Sequence, residues 1–541
     1  MLMHETNQRW KEFAFLILLF AIALATRLPL IDSHPPGLWY DEAIDGLDGL
    51  SLHQNPFQIF FTTEEHPREP MFMYIIGFVF LFLKPTVFTL RGTSALIGAA
   101  AVPALYLLLR IGVKNKRLAL IGALLLLASR WHIHHSRLAH RGILLPLWMC
   151  LTICGMFWAA RKNRLSAWIL AGVILGLGFY THLSFRLAPA ILAVPLIWFW
   201  RRREIKMGQA FAFIAAASLV FLPLGIDYLR NPFHFWGRMD QISPFEKGVG
   251  AGLRMIIHNI WMSLLMFNFH GDENPLLNIP GMPLLNPLGS LFFFWGIYLC
   301  AKRAMRDVFY LTLFPWIGLM LLNTILSPEA PHFGRSLGAF VPAVIFMAVG
   351  VAESFEWLQD FLRLKRAVII ITFILAAISA WDIYLYFGLY RGDPRLWHRT
   401  NAAWVDAARE IKNYELRIMN NKSGGGAKGA VFYLPKDIYY HASVRFITLD
   451  VPKGAMKPME FPDALAGRKG ELPRDHFLLA TVFNNLYQIL SVEIPNGEIW
   501  REFRAPEGNT WGIFYRVPQN SLLSQEKAAG LMKKYSFESY R

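Results

Sequence analysis

The sequence predicts a polytopic α-helical membrane protein, about eleven transmembrane helices followed by a small C-terminal extracytoplasmic α/β domain. Three observations carry this. Of 541 residues, 55% are hydrophobic, 15% aromatic and only 17% charged, with a mean hydropathy of +0.34, a composition outside the range of soluble enzymes. Apolar stretches of about 20 residues, the length that spans a hydrocarbon core, recur along the first three-quarters of the chain. Short basic clusters fall between them in a regular alternation.

The candidate spans cover residues 13–31, 87–109, 117–131, 143–160, 166–182, 187–200, 209–226, 286–301, 308–326, 336–352 and 367–389. Arg110, Lys114, Lys116 and Arg117 follow the second span; Arg161, Lys162 and Arg164 the fourth; Arg201, Arg202, Arg203 and Lys206 the sixth. Lys302, Arg303 and Arg306 follow the eighth, and Arg363, Lys365 and Arg366 the tenth. Cytoplasmic loops are rich in Lys and Arg, so every even span ends inside. The N-terminus is then cytoplasmic and the C-terminus extracytoplasmic, in an inner (plasma) membrane. The apolar segment from Met71 to Leu83 is too short to span and would break this parity, so it reads as an interfacial helix. Arg9 and Lys11 ahead of an apolar core, with Ala23-Leu24-Ala25 after it, also fit a signal peptide. Apolar character continuing through Leu28, Leu30 and Ile31 favours a retained first helix.

The net charge of +16 is explained by these loop clusters, which argues against nucleic acid as a partner. Cys150, Cys154 and Cys300 all lie in apolar segments, so no disulfide framework is legible. The spans define a membrane domain over residues 1–389 and leave residues 390–541 as a soluble domain. There, AVFYLP (430–435), FLLATV (477–482) and WGIFYRV (511–517) alternate as strands, while Asn401–Tyr414 and Asn484–Val492 read as helices. SGGGAKG (423–429) lacks the Gly-Lys-Ser/Thr spacing of a P-loop and reads as a turn before a strand.

With the parity fixed, unusual polar residues gather on the outer face. HPPGLWYDEAIDGLDGL (34–50) places Asp41 and Glu42 in the first turn of an amphipathic helix starting near Tyr40, where acids favour a helix N-terminus. Carboxylates at a membrane edge are costly unless used. Glu64, Glu65, His66, Arg68 and Glu69 return the loop to the membrane. SRWHIHHSRLAHRG (129–142) holds His132, His134, His135 and His140, whose spacing matches no strong metal-ligand motif. Arg137 and Arg141, four apart, would share a helical face and offer two guanidinium forks to one anion, most simply a lipid phosphate. His182 and Arg186 in YTHLSFRLAP and His332 and Arg335 in SPEAPHFGRS add charge on a side where positive residues are not expected.

These segments together, with EEHPREPMFMYIIG, RGTSALIGAAAVPALYLLLR and FHGDENPLLNIPG, resemble bacterial GT-C glycosyltransferases, in the branch of protein O-mannosyltransferases (glycosyltransferase family 39) and aminoarabinose lipid A transferases. The resemblance runs in order over about residues 10–350. It implies a GT-C membrane fold, a polyprenyl-phosphate-linked sugar donor, an outward-facing site, and Asp41 as base with Glu42 as its partner acid. It also implies a donor-phosphate role for Arg137, which follows Ser136 as in the family's Ser-Arg pair. In mannosyltransferase relatives an acid follows shortly after that pair, whereas Ser136–Leu151 here has no carboxylate. A divalent metal between two acidic loops, as in the oligosaccharyltransferase branch, is therefore not expected, and neither is another cofactor.

Glycosyl transfer needs a base for the acceptor proton and positive charge to hold the departing phosphate. Asp41 fits the first need and Arg137, Arg141 and Arg186 the second, and displacement from the opposite face predicts inversion. Asp272 and Glu273 are candidates for the acceptor cavity, His332 and Arg335 for donor contacts, and Tyr40, Glu65, His66, Arg68, Glu69, His135 and His182 for the cavity wall. The expected partners are the donor, membrane lipids, and an acceptor that is a glycan, lipid or protein; the sugar is a hexose or pentose. The alternative is a transporter or flippase of a lipid-linked glycan, but such proteins carry charge at the bilayer midplane and internal repeats, whereas these spans are nearly free of charge.

Overall fold

The structure, a computed structural model, describes residues 2–64, 66–241, 243–246, 248–421, 430–460, 463–466, 474–481 and 486–535. Glu65 and the glycine-rich segment 423–429 lie outside the described residues. The chain divides into two compact units, one of Met1–Ile31 and Asp48–Gly392, the other of Asp32–Leu47 and Asp393–Arg541.

The first unit is helical. It runs α1 (Leu2–Ala25), α2 (Tyr40–Ser51, whose first turns belong to the second unit), a hairpin β1 (Phe61–Glu64) and β2 (His66–Arg68), then α3 (Met71–Phe80) and α4 (Val87–Gly112). It continues with α5 (Lys116–Ala128), α6 (Arg130–Arg137), α7 (Leu144–Lys162), α8 (Leu165–Gly178), α9 (Ala188–Arg201) and α10 (Met207–Arg230). α11 (Phe233–Gln241), α12 (Val249–Leu265), α13 (Pro287–Ala304), α14 (Val308–Ile325), α15 (Leu337–Phe361) and α16 (Leu364–Tyr384) complete it.

Among the described residues, seven helical segments are long and apolar enough to cross a membrane: Val87–Gly112, Arg141–Lys162, Leu183–Arg201, Met207–Arg230, Val308–Ile325, Leu337–Phe361 and Leu364–Gly392. α15 is the centre of the bundle, buried almost throughout. α3 is a short apolar helix of ten residues.

Three boundaries differ from expectation. α1 stops at Ala25 instead of continuing to Ile31, because Thr26 Oγ1 and Arg27 Nη1 both donate to the Ala23 carbonyl at 2.8 Å and Pro29 follows. α5 ends at Ala128, where Ser129 turns extended at ψ 122°, so the expected span to residue 131 breaks and α6 starts afresh. The loop expected over 227–286 contains α11 and α12. Gly250, Gly252, Arg254, His258 and Asn259 dilute the apolar signal of α12.

The second unit carries α17 (Pro394–Arg399), α18 (Ala402–Asn421), β3 (Val431–Leu434), α19 (Lys436–Tyr440), α20 (Ala442–Ile447), β4 (Met456–Pro458) and α21 (Asp463–Ala466). β5 (His476–Thr481), α22 (Leu486–Glu493), β6 (Glu498–Arg504), β7 (Thr510–Val517) and α23 (Gln525–Tyr535) follow. The sheet order is β4-β3-β5-β7-β6, with β3 parallel to β4 and β5, and β7 antiparallel to β5 and β6. Strand alternation gives it two apolar faces. Val431, Tyr433, Leu478, Ile513 and Tyr515 pack with Leu486, Leu490, Ala528 and Leu531 of α22 and α23. On the other face Phe432 stacks on Phe477 at 4.8 Å, and Tyr414 of α18 meets both rings edge-on or tilted at 5.3 and 5.4 Å.

Candidate active site

In the second unit, the segment carrying Asp41 is pinned on both sides. Leu38 N–H donates to the Thr400 carbonyl at 3.1 Å, and Ser443 Oγ donates to the Leu38 carbonyl at 2.8 Å. Gly37 is required here: its φ is +63°, and a Cβ would lie 2.6 Å from Thr400 O and Ala402 Cα. α2 then begins at Tyr40, whose ring meets His441 at 4.8 Å. Glu42 reaches back to accept the Trp39 N–H at 3.0 Å, one half of a capping box. Glu42 is buried and Asp41 only partly so. The two acids are thus divided: Glu42 fixes the helix start, and Asp41 stands in its first turn.

In the first unit the centre is α6, a strongly polar helix whose residues are all buried. Arg27 binds it from the end of α1, donating to His132 Nδ1 at 2.9 Å and to Ser136 Oγ at 3.2 Å. A neutral His132 follows, since Nδ1 must accept. α4 lies so close that a Cβ on Gly98 would fall 2.1 Å from Ser136 Oγ. His134 Nε2 donates to the Leu276 carbonyl at 2.7 Å, and His135 Nδ1 to Trp131 O at 3.1 Å. His135 Nε2 remains a buried acceptor with no hydrogen-bond partner among the described residues. Arg137 donates to the Arg27 carbonyl and lies over the rings of Tyr386 and Phe387 at 5.7 and 5.3 Å.

Arg137 and Arg141 do not share a helical face, contrary to the expectation from their spacing. α6 ends at Arg137, Leu138 is extended at ψ 125°, and Arg141 opens a separate short 3-10 turn that His140 caps through the Gly142 N–H. Arg141 instead pairs with Glu69 at 3.9 Å, and Arg186 approaches the same buried carboxylate at 3.5 Å. Arg186 also donates to Phe235 O at 2.7 Å and Tyr228 OH at 2.9 Å and stacks on both rings. Its guanidinium is taken up largely by protein acceptors, so it organises Glu69 and α11 in place of standing open to an anion. Arg68, next to Glu69, forms a buried ion pair with Asp48 of α2. Of His66 only the strand position in β2 is described.

Two further loops join this cluster. Asp272 accepts the Phe333 N–H at 2.7 Å and the Asn274 N–H at 2.8 Å, tying the 266–286 loop to the 327–336 loop. Burial pushes its carboxyl up to about 6. Glu273 is mostly exposed and pairs with His270 at 3.2 Å, away from that tie. His332 Nδ1 accepts the Arg335 N–H at 3.2 Å, and Arg335 Nη1 is buried without a hydrogen-bond partner among the described residues. Burial, then the charge of Arg335, brings His332 down to about 3; burial brings His135 down to about 4. His140 is held far below its usual value by burial and then by Arg141, with Arg68 adding to the effect. His182 accepts the Ser184 N–H at 3.2 Å through Nδ1, starting the turn that carries Arg186. Burial thus holds these histidines neutral beside Arg141 and Arg335, cations suited to an anion. Among the described residues, no three His, Cys, Asp or Glu side chains converge as a metal site.

Sequence reading missed Arg27, Arg91, Arg130, Arg238 and Asp382. Arg91 is buried in α4 and donates to the Ile31 carbonyl at 3.1 Å; Asp382 of α16 is buried and accepts the Arg130 N–H at 3.2 Å. An ionisable residue inside an apolar run must face protein or water, and that rule applied one residue at a time would have found Arg91 and Asp382.

Comparison with known proteins follows the same lines. Residues 65–226, from the hairpin through α10, match the dolichyl-phosphate-mannose-protein mannosyltransferase family. An undecaprenyl phosphate-α-4-amino-4-deoxy-L-arabinose arabinosyl transferase of Pseudomonas aeruginosa is 32% identical over 163 residues, 28% of this chain and 29% of that protein. The second such transferase of Proteus mirabilis is 24% identical over 161 residues, 29% of each. The chain thus matches under a third of the length of these curated relatives. Among solved structures, ArnT from Cupriavidus metallidurans bound to undecaprenyl phosphate aligns at a TM-score of 0.54 and 12% identity, over 93% of this chain and 98% of that one. The apo oligosaccharyltransferase of Archaeoglobus fulgidus aligns at 0.53 and 14%, over 90% and 70%. At these identities the likeness is one of fold, which this chain shares with both structures. Within it, the matched segment is most informative about α6 and its surroundings, and it leaves the Asp41 segment outside.

Proposed function

We propose that the protein is a glycosyltransferase that moves a hexose or pentose from a polyprenyl-phosphate-linked donor to an acceptor hydroxyl or amine at the extracytoplasmic face of the inner membrane. The observation that carries this reading is the buried α6 region and its neighbouring loop, where Arg335 Nη1 and His135 Nε2 are buried without a hydrogen-bond partner among the described residues. Its topology is the eleven-span one, with α1, α5, α8 and α13 crossing beside the seven segments named above. The N-terminus is then cytoplasmic and the second unit extracytoplasmic.

In the reaction Asp41 takes the proton of the acceptor group, the acceptor atom bonds to the anomeric carbon, and the carbon–oxygen bond to phosphate breaks with its electron pair leaving on phosphate. Attack from the face opposite the phosphate inverts the anomeric carbon. Arg137, Arg141 and Arg335 stabilise the phosphate charge that develops, which is where preorganised cations contribute most. No general acid is needed, because a phosphate held by cations is already a good leaving group. The arginines serve where a divalent metal would otherwise serve, so the reaction runs without one. A flippase would need ionisable groups along its path, whereas Arg27 and Asp382 are engaged by α6, at His132 and at the Arg130 N–H.

The test is release of undecaprenyl phosphate from a panel of undecaprenyl-phosphate sugars by purified protein in lipid. Turnover with one donor is expected, unchanged by chelator and reduced at least about 100-fold in Asp41→Asn, the usual range for loss of a catalytic base. Absence of release with every donor, with the lipid moved across vesicles by both proteins, overturns the assignment in favour of transport.

A further inference from the structure

The second unit contains a groove that the reaction just described does not use. It lies between the α19–α20 pair and the turn before β4, has a volume of about 560 Å³, and is lined by Tyr439, Tyr440, Arg445, Thr448, Lys453 and Met456 among others. That volume is in the range of small-molecule sites. Its chemistry is one-sided: no carboxylate lines it, and among the described residues neither Arg445 nor Lys453 has an acidic partner. Asp450, three residues before Lys453, is paired with Lys412 at 3.0 Å. Tyr440 is 62% exposed and meets Tyr439 edge-on at 4.9 Å. Exposed aromatic faces in a concave site suit the apolar face of a pyranose ring, and unpaired Arg and Lys suit a carboxylate or phosphate on that ring.

The groove is also tied to the segment that carries Asp41. His441, between Tyr440 and α20, packs its ring on Tyr40, and Ser443 holds the Leu38 carbonyl. Arg445 donates its N–H to the His441 carbonyl, so it stands one helical turn, roughly 5–6 Å, along from the residue that touches Tyr40. The same two short helices therefore form one wall of the groove and seat the start of α2.

We propose that this groove binds an anionic saccharide, and, resting on the transferase reading above, that this is the acceptor's glycan portion held beside the Asp41 segment. Tyr440 stacks on a sugar ring while Arg445 and Lys453 take its acidic group.

The test reads binding without donor or turnover. Full-length protein in lipid nanodiscs is titrated with tetragalacturonic acid and, separately, neutral maltotetraose, with saturation-transfer NMR as readout. Tetragalacturonate is expected to bind saturably and at least tenfold more tightly than maltotetraose, and to weaken at least tenfold in Arg445→Gln/Lys453→Gln and in Tyr440→Ala. These side chains are at the surface, and an unchanged melting temperature checks that the variants fold. Equal binding of both saccharides, equal binding by the variants, or displacement of tetragalacturonate by an equal concentration of glycerol phosphate would overturn the proposal, the last by showing that the groove reads headgroup charge alone. No saccharide binding together with turnover that is lost in Asp41→Asn would sink this inference and leave the transferase reading standing. Saturable, variant-sensitive binding in a protein that releases no undecaprenyl phosphate would keep the saccharide site and overturn the transferase reading.

Discussion

Asp382 of α16 accepts the backbone N–H of Arg130 at 3.2 Å, so a carboxylate from one apolar helix caps the first turn of another. Asn286 approaches the other oxygen at 3.4 Å, and Arg130 itself donates to the Pro283 carbonyl at 2.7 Å. Three elements distant in sequence thus meet at the N-terminus of α6. Beyond Asp382, Tyr386 and Phe387 cover Arg137, and Tyr390 meets the His134 ring at 5.1 Å while its hydroxyl donates to Pro275 O at 2.7 Å. The segment 382–390 therefore supports α6 from its first residue to its last.

Asp382→Ala should cost about 1–2 kcal/mol through loss of the cap, with Asp382→Asn recovering part of it because the amide oxygen can still accept. The melting temperature in detergent measures this. A positioning role predicts more than instability: the KM for the lipid donor should rise in the alanine variant at a temperature where both proteins are folded, and fall back in the asparagine variant. An unchanged KM would reduce Asp382 to a packing residue.

Arg186→Lys keeps the charge and should still be damaging. The guanidinium satisfies Phe235 O and Tyr228 OH, approaches Glu69 and stacks on two rings, and a single ammonium cannot do all of this. Breaking such a partly buried arrangement should cost about 2–4 kcal/mol, visible as a lower melting temperature. If the loss is instead confined to donor affinity with stability intact, Arg186 holds the phosphate directly.

The pH dependence follows from groups shifted in opposite senses. His135 and His332 have folded values lowered to about 4 and about 3, so their contribution to stability is full above the ordinary histidine value near 6.5 and is lost as pH falls through those lower values. Asp272, raised to about 6, contributes in full below the ordinary aspartate value near 3.8 and loses that contribution as pH rises through about 6. The histidines, with His140 shifted the same way, outnumber the aspartate, so unfolding near pH 5 takes up protons. Acid should therefore destabilise the first unit, by roughly 1.4 kcal/mol per pH unit for each net proton. Melting temperatures between pH 7.5 and 4.5 test this, and the acid slope should steepen in Asp272→Asn, which removes the opposing term. A slope that flattens in that variant would mean that Asp272 is ionised in the folded protein.

How much of this was legible depended on whether neighbours in sequence were also neighbours in space. The membrane helices, the start of α2 at Tyr40 and strands β3, β5 and β7 follow from local apolar period, which one-dimensional pattern records directly. β6 escaped because it is an edge strand in which Glu498, Arg501, Glu502 and Arg504 are exposed and only Trp500 and Phe503 pack on the neighbouring rings, too few to set an alternating pattern. The Arg137–Arg141 pairing does not hold because spacing assumes a continuous helix, whereas Leu138 is extended, its carbonyl accepting from Ser94 Oγ of α4 at 2.7 Å. Asp382 stands out in ISAWDIY as a lone acid in an apolar run, but the residue it meets lies 252 residues away, and no local pattern names that partner.

Gly98 makes the sharpest test of how closely α6 is held. A Cβ there would meet Ser136 Oγ at 2.1 Å and Ser136 Cβ at 2.6 Å, separations that cannot be kept. Ser136 cannot easily yield, since its hydroxyl is bonded to the His132 carbonyl and lies 3.2 Å from Arg27 Nε. Gly98→Ala should therefore push α6 off α4, at an overpacking cost of about 1–3 kcal/mol, and lower donor turnover by disturbing Arg137, the next residue in the helix. Ser136→Gly removes both clashing atoms, so the double variant Gly98→Ala/Ser136→Gly should be less impaired than the sum of the two single changes. Simple additivity in stability and in turnover would show that α4 and α6 do not meet at this point, and would remove the basis for reading α6 as a rigidly positioned element of the site.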